Sequence, residues 1–323
     1  MLLTEKSQLL WLCDQDSAVL EAASKFYPDA KTTTDISDVI NDDQVEAVAV
    51  ATPTSTHYQV AKQLLNAGKH VLVEKPITMT SGEADELTKL AEDLSVILMV
   101  GHVFMFNDGL RYVKDLITSG EIGDVYYLAL ERTNLGPVRT DVNVLWDLVS
   151  HDISIITDLM NMPPDAVSAN GQSFLNSDVE DVVFATFSFD SGVRAHIHAS
   201  WLNPKKVRQI TVVGSKKMVI WDDLNLQEPV RIINKRVEFP APGSTDGSYI
   251  TYKTICVDGG AEVPQISMKP PLQNECEHFL DCILEEKRPI SDGSNGAAVV
   301  RILEAATESL KSGTGEFVRC FND

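Results

Sequence analysis

The sequence is short of positive charge. Its 323 residues hold 27 lysines and arginines against 47 aspartates and glutamates, a net charge of −20. That balance lacks the basic footprint that nucleic acids and anionic membrane surfaces require, so neither is expected as a partner. Cysteine is scarce too. Cys13, Cys256, Cys276, Cys282 and Cys320 form an odd set with no Cys-x-x-Cys. This argues against a disulfide framework and against a zinc site, and no metal is expected. Cys276 and Cys282 read as packed thiols, and a reducing, cytoplasmic setting is the expectation. No apolar run approaches the ~18 residues of a membrane-spanning helix. The first residues show no basic-then-apolar signal pattern.

What is present is an alternation of short apolar strands with amphipathic helices. Gln8–Cys13 and Val45–Ala51 read as strands, as do 69–73 and 96–100. Ser17–Phe26, Asp35–Ile40, Tyr58–Ala67 (stopped by Gly68) and Ser81–Leu94 read as the helices between them. Such alternation implies parallel strands joined by crossover helices. After Gly101 the pattern changes. A helix over 108–119 and a strand over 125–132 lead through a loop, 134–142, to a helix over 144–160. From Ala166 to about Val263 the chain alternates with period two, which predicts a large antiparallel sheet. Pro242–Ser248 reads as a polar loop, and the chain closes with helices over 272–284 and 296–311. The fold class expected is α/β: a Rossmann-type parallel domain over 1–101, and a second α/β domain with a large, open, mostly antiparallel sheet over 102–323.

One part of a dinucleotide fold is missing from this pattern. Such a fold opens with a strand and a Gly-x-Gly-x-x-Gly turn that receives the pyrophosphate at a helix N-terminus. No such motif occurs in the first thirty residues. Asp14, at a strand end, stands where the acid contacting the adenosine ribose is expected, normally ~20 residues after the glycines. Only 13 residues precede it, and Leu2–Lys6 reads as the tail of a first helix. The first strand and glycine turn are therefore expected to be absent, leaving an N-terminally truncated dinucleotide-binding domain.

Several residues carry candidate chemistry. Val71-Leu72-Val73-Glu74-Lys75-Pro76 is a buried strand ending in a carboxylate, an amine and a proline. In open α/β sheets ligands bind at such strand ends. A partly desolvated lysine there has the lowered pKa that proton transfer requires, although most lysines are plain surface charges. Thr52-Pro53-Thr54-Ser55-Thr56-His57 and His102 follow two further strands. His57 fits a ligand crevice and an unliganded helix N-terminus equally. Asp147 and His151 lie four apart on the expected helix, which puts them on one face. A carboxylate there can orient an imidazole as general base, and an ordinary intrahelical pair has the same spacing. His196 and His198 alternate along a strand without an evident carboxylate or thiol partner, so half-buried strand residues are the simpler reading. Trp201, Asn203, Lys205, Lys206 and Arg208 form a basic-aromatic cluster that reads either as a solvated loop or as an anchor for an anionic substrate.

Taken together, Ala51–His57 (ATPTSTH), Ala67–Pro76 (AGKHVLVEKP), Val100–Asn107 (VGHVFMFN), Trp146–Asp152 (WDLVSHD) and the segments 271–283 and 288–306 resemble the Gfo/Idh/MocA oxidoreductases. The resemblance runs from Leu9 through nearly the whole chain. It implies an NAD(P)-dependent enzyme that oxidises, or reversibly reduces, a sugar or cyclitol hydroxyl. It also implies dimers or tetramers built through the C-terminal sheet, with the last helices packing back on the first domain. The positions matching Lys75, Asp147 and His151 are the catalytic set. Thr52, Pro53, Thr54, His57, Glu74, Lys75, Pro76 and His102 match cofactor-side positions. Asp14 favours NAD over NADP, because a carboxylate repels a 2′-phosphate. Segments 135–154 and 200–215 look most like the branch acting on nucleotide-linked sugars, such as UDP-N-acetylhexosamines and their uronates. In that branch Asn134, Arg139, Asn143, Lys205 and Lys206, with Lys75 and His151, are candidates to meet the substrate. The alternative is a truncated or degenerate paralogue that binds a sugar nucleotide or a partner without turnover.

Overall fold

The computed structural model describes residues 6–140, 142–175, 179–238 and 255–321. The loop expected over Pro242–Ser248 lies outside them. The chain divides into two compact units, Met1–Phe106 with Lys269–Arg301, and Asn107–Met268 with Ile302–Asp323.

The first unit is built from β1 (Trp11–Cys13), α1 (Ser17–Ser24), β2 (Lys31–Thr33), α2 (Ile36–Ile40), β3 (Ala47–Val50), α3 (Thr54–Asn66), β4 (His70–Glu74), α4 (Ser81–Leu94) and β5 (Leu98–Gly101). All pairings are parallel, β1 with β2 and β3–β4–β5 in a second sheet, as the alternation predicts. Val71, Leu72 and Val73 of β4 are buried, since helices cover both faces of a parallel sheet. The helix ends follow local chemistry. Thr80 caps α4 by accepting from the Glu83 N–H at 3.3 Å, and Gly68 takes φ +74° just past α3. Two features differ from the sequence reading. Strand β2 was not expected, because Lys31-Thr32-Thr33 is short and polar and is held by its pairing to β1. Helix α3 starts at Thr54 rather than Tyr58, so the Thr-Ser-Thr-His run is helical.

The second unit opens with α5 (Asp108–Thr118) and β6 (Val125–Leu135). A π-helical turn, Leu145–Val149, leads into α6 (Ser150–Met160). Then come β7 (Ala166–Gln172), β8 (Val182–Ser188), β9 (Arg194–Ser200), β10 (Leu202–Gly214), β11 (Met218–Asp222), β12 (Val230–Glu238) and β13 (Ile255–Glu262). Helix α7 (Pro271–Leu284) belongs to the first unit, α8 (Gly293–Ser312) contributes to both, and β14 (Val318–Arg319) ends the second. Among the described residues the sheet has nine strands in the order β13-β12-β11-β10-β6-β9-β8-β7-β14. Every pairing is antiparallel except β6 with β9. Alternate residues (Ala195, Ile197 and Ala199 on β9) are buried, so one face of the sheet packs inward.

Candidate active site

In the first unit the candidate residues gather at the carboxyl ends of β3, β4 and β5. Glu74 ends β4, and its Oε2 accepts from the backbone N–H of Lys75 at 3.2 Å. The Lys75–Pro76 peptide is cis. Gly101, opposite Glu74 across β4 and β5, leaves room for that carboxylate: a Cβ there would lie 3.2 Å from Glu74 Oε2. His102 follows, fully buried, and neither ring nitrogen has a hydrogen-bond partner among the described residues. Burial, and then the positive charge of Lys75, push its pKa down to about 3, so the ring is neutral.

His57 plays a different part from a crevice ligand. It is buried, with Nδ1 2.9 Å from the Pro76 carbonyl oxygen and Nε2 2.8 Å from that of Thr52. The ring therefore fastens the start of α3 to the turn after Lys75. The Thr56 hydroxyl is engaged locally, 2.8 Å from Thr52 Oγ1 and from the Pro53 carbonyl. Asp14 is exposed at the end of β1, its Oδ1 accepting from the Asp16 N–H at 2.8 Å.

An exposed carboxylate at Asp14, and Glu74, Lys75 and the unpartnered ring nitrogens of His102 at the strand ends, are polar groups whose chemistry suits a dinucleotide. The Gly-x-Gly-x-x-Gly signature occurs nowhere in the sequence.

In the second unit the π-turn changes the expected geometry of Asp147 and His151. They lie on a widened turn running into α6, not on one uniform α-helix. Such π-bulges re-aim side chains and recur at functional sites. Asp147 Oδ1 accepts from Arg139 Nη1 at 3.3 Å, and Oδ2 from the Trp201 indole N–H at 3.2 Å. Arg139, expected at the substrate, thus also grips the catalytic candidate. Asn143, another expected substrate residue, ties down the start of the turn. Its Oδ1 accepts from the Trp146 N–H at 3.1 Å and its Nδ2 donates to Glu180 at 2.7 Å. Asp152 faces away from His151 into the core and forms a fully buried pair with Arg132 of β6. Arg132 Nε donates to both carboxylate oxygens at 2.9 and 3.0 Å, and Nη2 to Oδ1 at 2.7 Å.

The basic-aromatic cluster comes apart in the structure. Trp201 is buried and serves Asp147, so it is no surface anchor. Arg208 is paired with Asp223. Lys205 and Lys206 remain exposed on the irregular stretch of β10 between Leu202 and Val207, beside the end of β6 that carries Asn134. His196 and His198 do share a face of β9. His198 stacks on Phe184 with ring centroids 4.5 Å apart, and burial lowers its pKa. No His, Cys, Asp and Glu grouping fit to hold a metal occurs among the described residues. No described helix is long and apolar enough to cross a membrane.

Sequence reasoning missed the hold of Arg139 and Trp201 on Asp147, the Arg132–Asp152 pair, and Glu275, a buried carboxyl on α7. Glu275 alone left a usable signal, a single acid on the apolar side of an amphipathic helix.

Comparison with known proteins bears on the family and the fold. Residues 2–102 match the model of an oxidoreductase family with an NAD-binding Rossmann fold, and residues 110–220 match the GFO/IDH/MocA C-terminal domain. The chain is 27% identical over 266 residues to a UDP-N-acetylglucosamine 3-dehydrogenase of Acidithiobacillus ferrooxidans, covering 82% of this chain and 78% of that one. It is 26% identical over 306 residues to the NADP(+)-dependent scyllo-inositol 2-dehydrogenase IolW of Bacillus subtilis, covering 90% and 84%. Its fold superposes on the WlbA dehydrogenase of Bordetella pertussis, solved with NADH and UDP-GlcNAcA, with TM-score 0.77 and 20% identity over 98% of this chain and 91% of that one. With a matching Rossmann domain and a matching C-terminal domain, the chain belongs to the Gfo/Idh/MocA family of NAD-binding oxidoreductases.

Proposed function

We propose that the protein oxidises, or reversibly reduces, a secondary hydroxyl of a sugar or nucleotide-linked sugar such as a UDP-N-acetylhexosamine or its uronate. The observation that carries this reading is the grip on Asp147. A carboxylate held on both oxygens, one turn before His151, has the fixed orientation that a base-positioning group needs. In this reading Asp147 orients the His151 imidazole, His151 takes the hydroxyl proton, and the Lys75 amine polarises the same oxygen. Bound NAD supplies the hydride acceptor. Asp14 holds the adenosine ribose and disfavours a 2′-phosphate, so NAD is preferred to NADP. Thr52, Pro53, Thr54, Glu74, Pro76 and His102 shape the nicotinamide side. Lys205 and Lys206, exposed in a chain of net charge −20, are the cations that meet an anionic substrate, with Asn134, Arg139 and Asn143 completing the substrate side.

A homodimer or homotetramer through the open face of the nine-stranded sheet completes the proposal. Tyr127, Phe184, His196 and His198 share that face, and Tyr127 and Phe184 are exposed large rings.

Calorimetry with NAD and with UDP-N-acetylglucosamine, followed by NADH formation from a panel of sugars and UDP-sugars, tests the function. NAD binding and sugar-dependent NADH formation, both lost in His151→Ala and Lys75→Ala, are expected. Sugar-nucleotide binding without NAD binding would overturn the dehydrogenase reading in favour of a binding module.

A further inference from the structure

The dipeptide Glu180-Asp181, immediately before β8, reaches the turn that carries Asp147 by two routes. Asp181 is 1% exposed and anchors the dipeptide. Its N–H donates to the Gln172 carbonyl at 3.1 Å, and its Oδ2 accepts from the N–H groups of Phe174 and Leu175, both at 2.9 Å. Its carbonyl accepts from the backbone N–H of Trp201 at 3.0 Å, and the Trp201 indole bonds Asp147 Oδ2. Buried polar groups satisfied in this way fix the backbone around them.

Glu180 supplies the second route. Its carbonyl accepts from the Val144 N–H at 3.0 Å, and its Oε2 accepts from Asn143 Nδ2 at 2.7 Å. Asn143 in turn accepts twice from the turn itself. Its Oδ1 takes the Trp146 N–H at 3.1 Å, and its main-chain oxygen takes the Asp147 N–H at 3.0 Å. The first N–H groups of a helical segment have no partner within it. Those of Val144, Trp146 and Asp147 find theirs in Glu180 and Asn143. The partners also decide which way the Asn143 amide points. A backbone N–H only donates and a carboxylate only accepts, so the amide oxygen faces Trp146 and the nitrogen faces Glu180. Glu180 is only half-buried, so it adds little apolar packing, and its carboxylate is committed to this amide. A hydrogen bond to an ionised acceptor is roughly twice as strong as a neutral one.

We propose that Glu180 is a positioning residue for the Asp147–His151 pair: through the Asn143 amide and the Val144 N–H it fixes the π-turn, and with it the direction in which Asp147 presents its carboxylate. One dipeptide then sets Asp147 twice, its backbone through Glu180 and its side chain through the Trp201 that Asp181 holds. The inference rests on Asp147 and His151 being the working pair, but the network it invokes exists without cofactor or substrate.

The test compares Glu180→Ala, Glu180→Asp and Glu180→Gln in the full chain. The Trp201 indole N–H, assigned by its loss in Trp201→Phe, reports on Asp147 by NMR in the absence of ligands. Steady-state kinetics report on the reaction. Glu180→Ala removes the acceptor, Glu180→Asp falls one methylene short of Asn143, and Glu180→Gln keeps an oxygen that can accept from it. The indole resonance is expected to move in Glu180→Ala, to move less in Glu180→Asp, and to stay near its parent position in Glu180→Gln. Misplacing a reacting group by ~1 Å can cost ~100-fold in rate. Here kcat is expected to fall about tenfold in Glu180→Ala with KM within about twofold, and the conservative Glu180→Gln to restore it. A residue serving stability alone would lower the urea midpoint and leave both the indole resonance and the kcat of the folded protein unchanged. That outcome, a Glu180→Gln as impaired as Glu180→Ala, or a loss confined to KM would each overturn the proposal. Should Glu180→Ala fail to fold, Glu180→Asp decides by the same readouts. Failure of the dehydrogenase reading is distinct: it shows as no NADH formation by the parent protein, and the indole resonance still tests the hold on Asp147.

Discussion

Asp152→Ala removes a carboxylate that takes three hydrogen bonds from a guanidinium with almost no access to water. Arg132 and Asp152 are 4% and 2% exposed and share three hydrogen bonds of 2.7–3.0 Å. Deleting one member of such a buried pair takes its charge–charge contacts from the other, at a cost of about 3–5 kcal/mol. With a urea dependence of about 3 kcal/mol per molar for a chain this size, the unfolding midpoint falls by roughly 1–1.7 M. Tryptophan fluorescence is a suitable probe, because Trp146, Trp201 and Trp221 belong to the second unit, as does this pair, and only Trp11 lies in the first. Replacing both partners by apolar residues, Arg132→Met with Asp152→Leu, removes both charges together and is expected to cost less than about 1 kcal/mol. The pair also fixes the start of α6 against β6, next to His151. Asp152→Asn, which keeps the shape, is therefore expected to lower kcat more than it raises KM. A loss below about 1 kcal/mol for the single change, or a double change as costly as the single one, would refute the assignment of a buried, charge-paired clamp.

Two further outcomes follow from individual contacts. Trp201→Phe keeps a buried ring but removes the N–H that Asp147 Oδ2 accepts. A hydrogen bond to a charged group is worth about 1.5–3 kcal/mol, so kcat/KM for sugar oxidation should fall roughly 10- to 100-fold, and an unchanged value would separate Asp147 from the chemistry. Glu275 gives a pH dependence of stability. Its folded pKa, about 8, lies above the ordinary 4.5, so the stabilisation of the protonated buried form is complete below pH 4.5 and is lost as pH rises through 8. At about 1.36 kcal/mol per unit that interval corresponds to at most ~5 kcal/mol. Urea unfolding between those pH values should show the parent protein losing stability relative to Glu275→Gln, and parallel curves would refute the raised pKa.

Much of the fold was legible in the residues. Continuous apolar runs such as Val71-Leu72-Val73 mark strands buried on both faces, and Ser81–Leu94 was found to the residue because a threonine cap and helical periodicity bracket it. Short polar β2 was not legible, since only its pairing to β1 makes it a strand. The site divides in the same way. Glu74-Lys75-Pro76 and the Asp147–His151 spacing mark the candidate groups, because those residue types at strand ends and one helical turn apart are what proton transfer uses. The sequence left the part of His57 open, because its two carbonyl partners, at Thr52 and Pro76, come from separate strand ends.

The sequence by itself determined the family, the parallel and antiparallel halves, and the identity of the candidate base, amine and carboxylate. These follow from local periodicity and from residues close together in the chain. Tertiary structure alone decided what each group feels. It set the widened turn under Asp147, the indole and guanidinium on its two oxygens, the buried Arg132–Asp152 clamp, and the burial that neutralises His102 and raises the Glu275 pKa. The physical reason is that burial and through-space charge depend on neighbours distant in sequence: Glu275 lies some two hundred residues from Glu74, and no local pattern records that the charge of one is felt by the other.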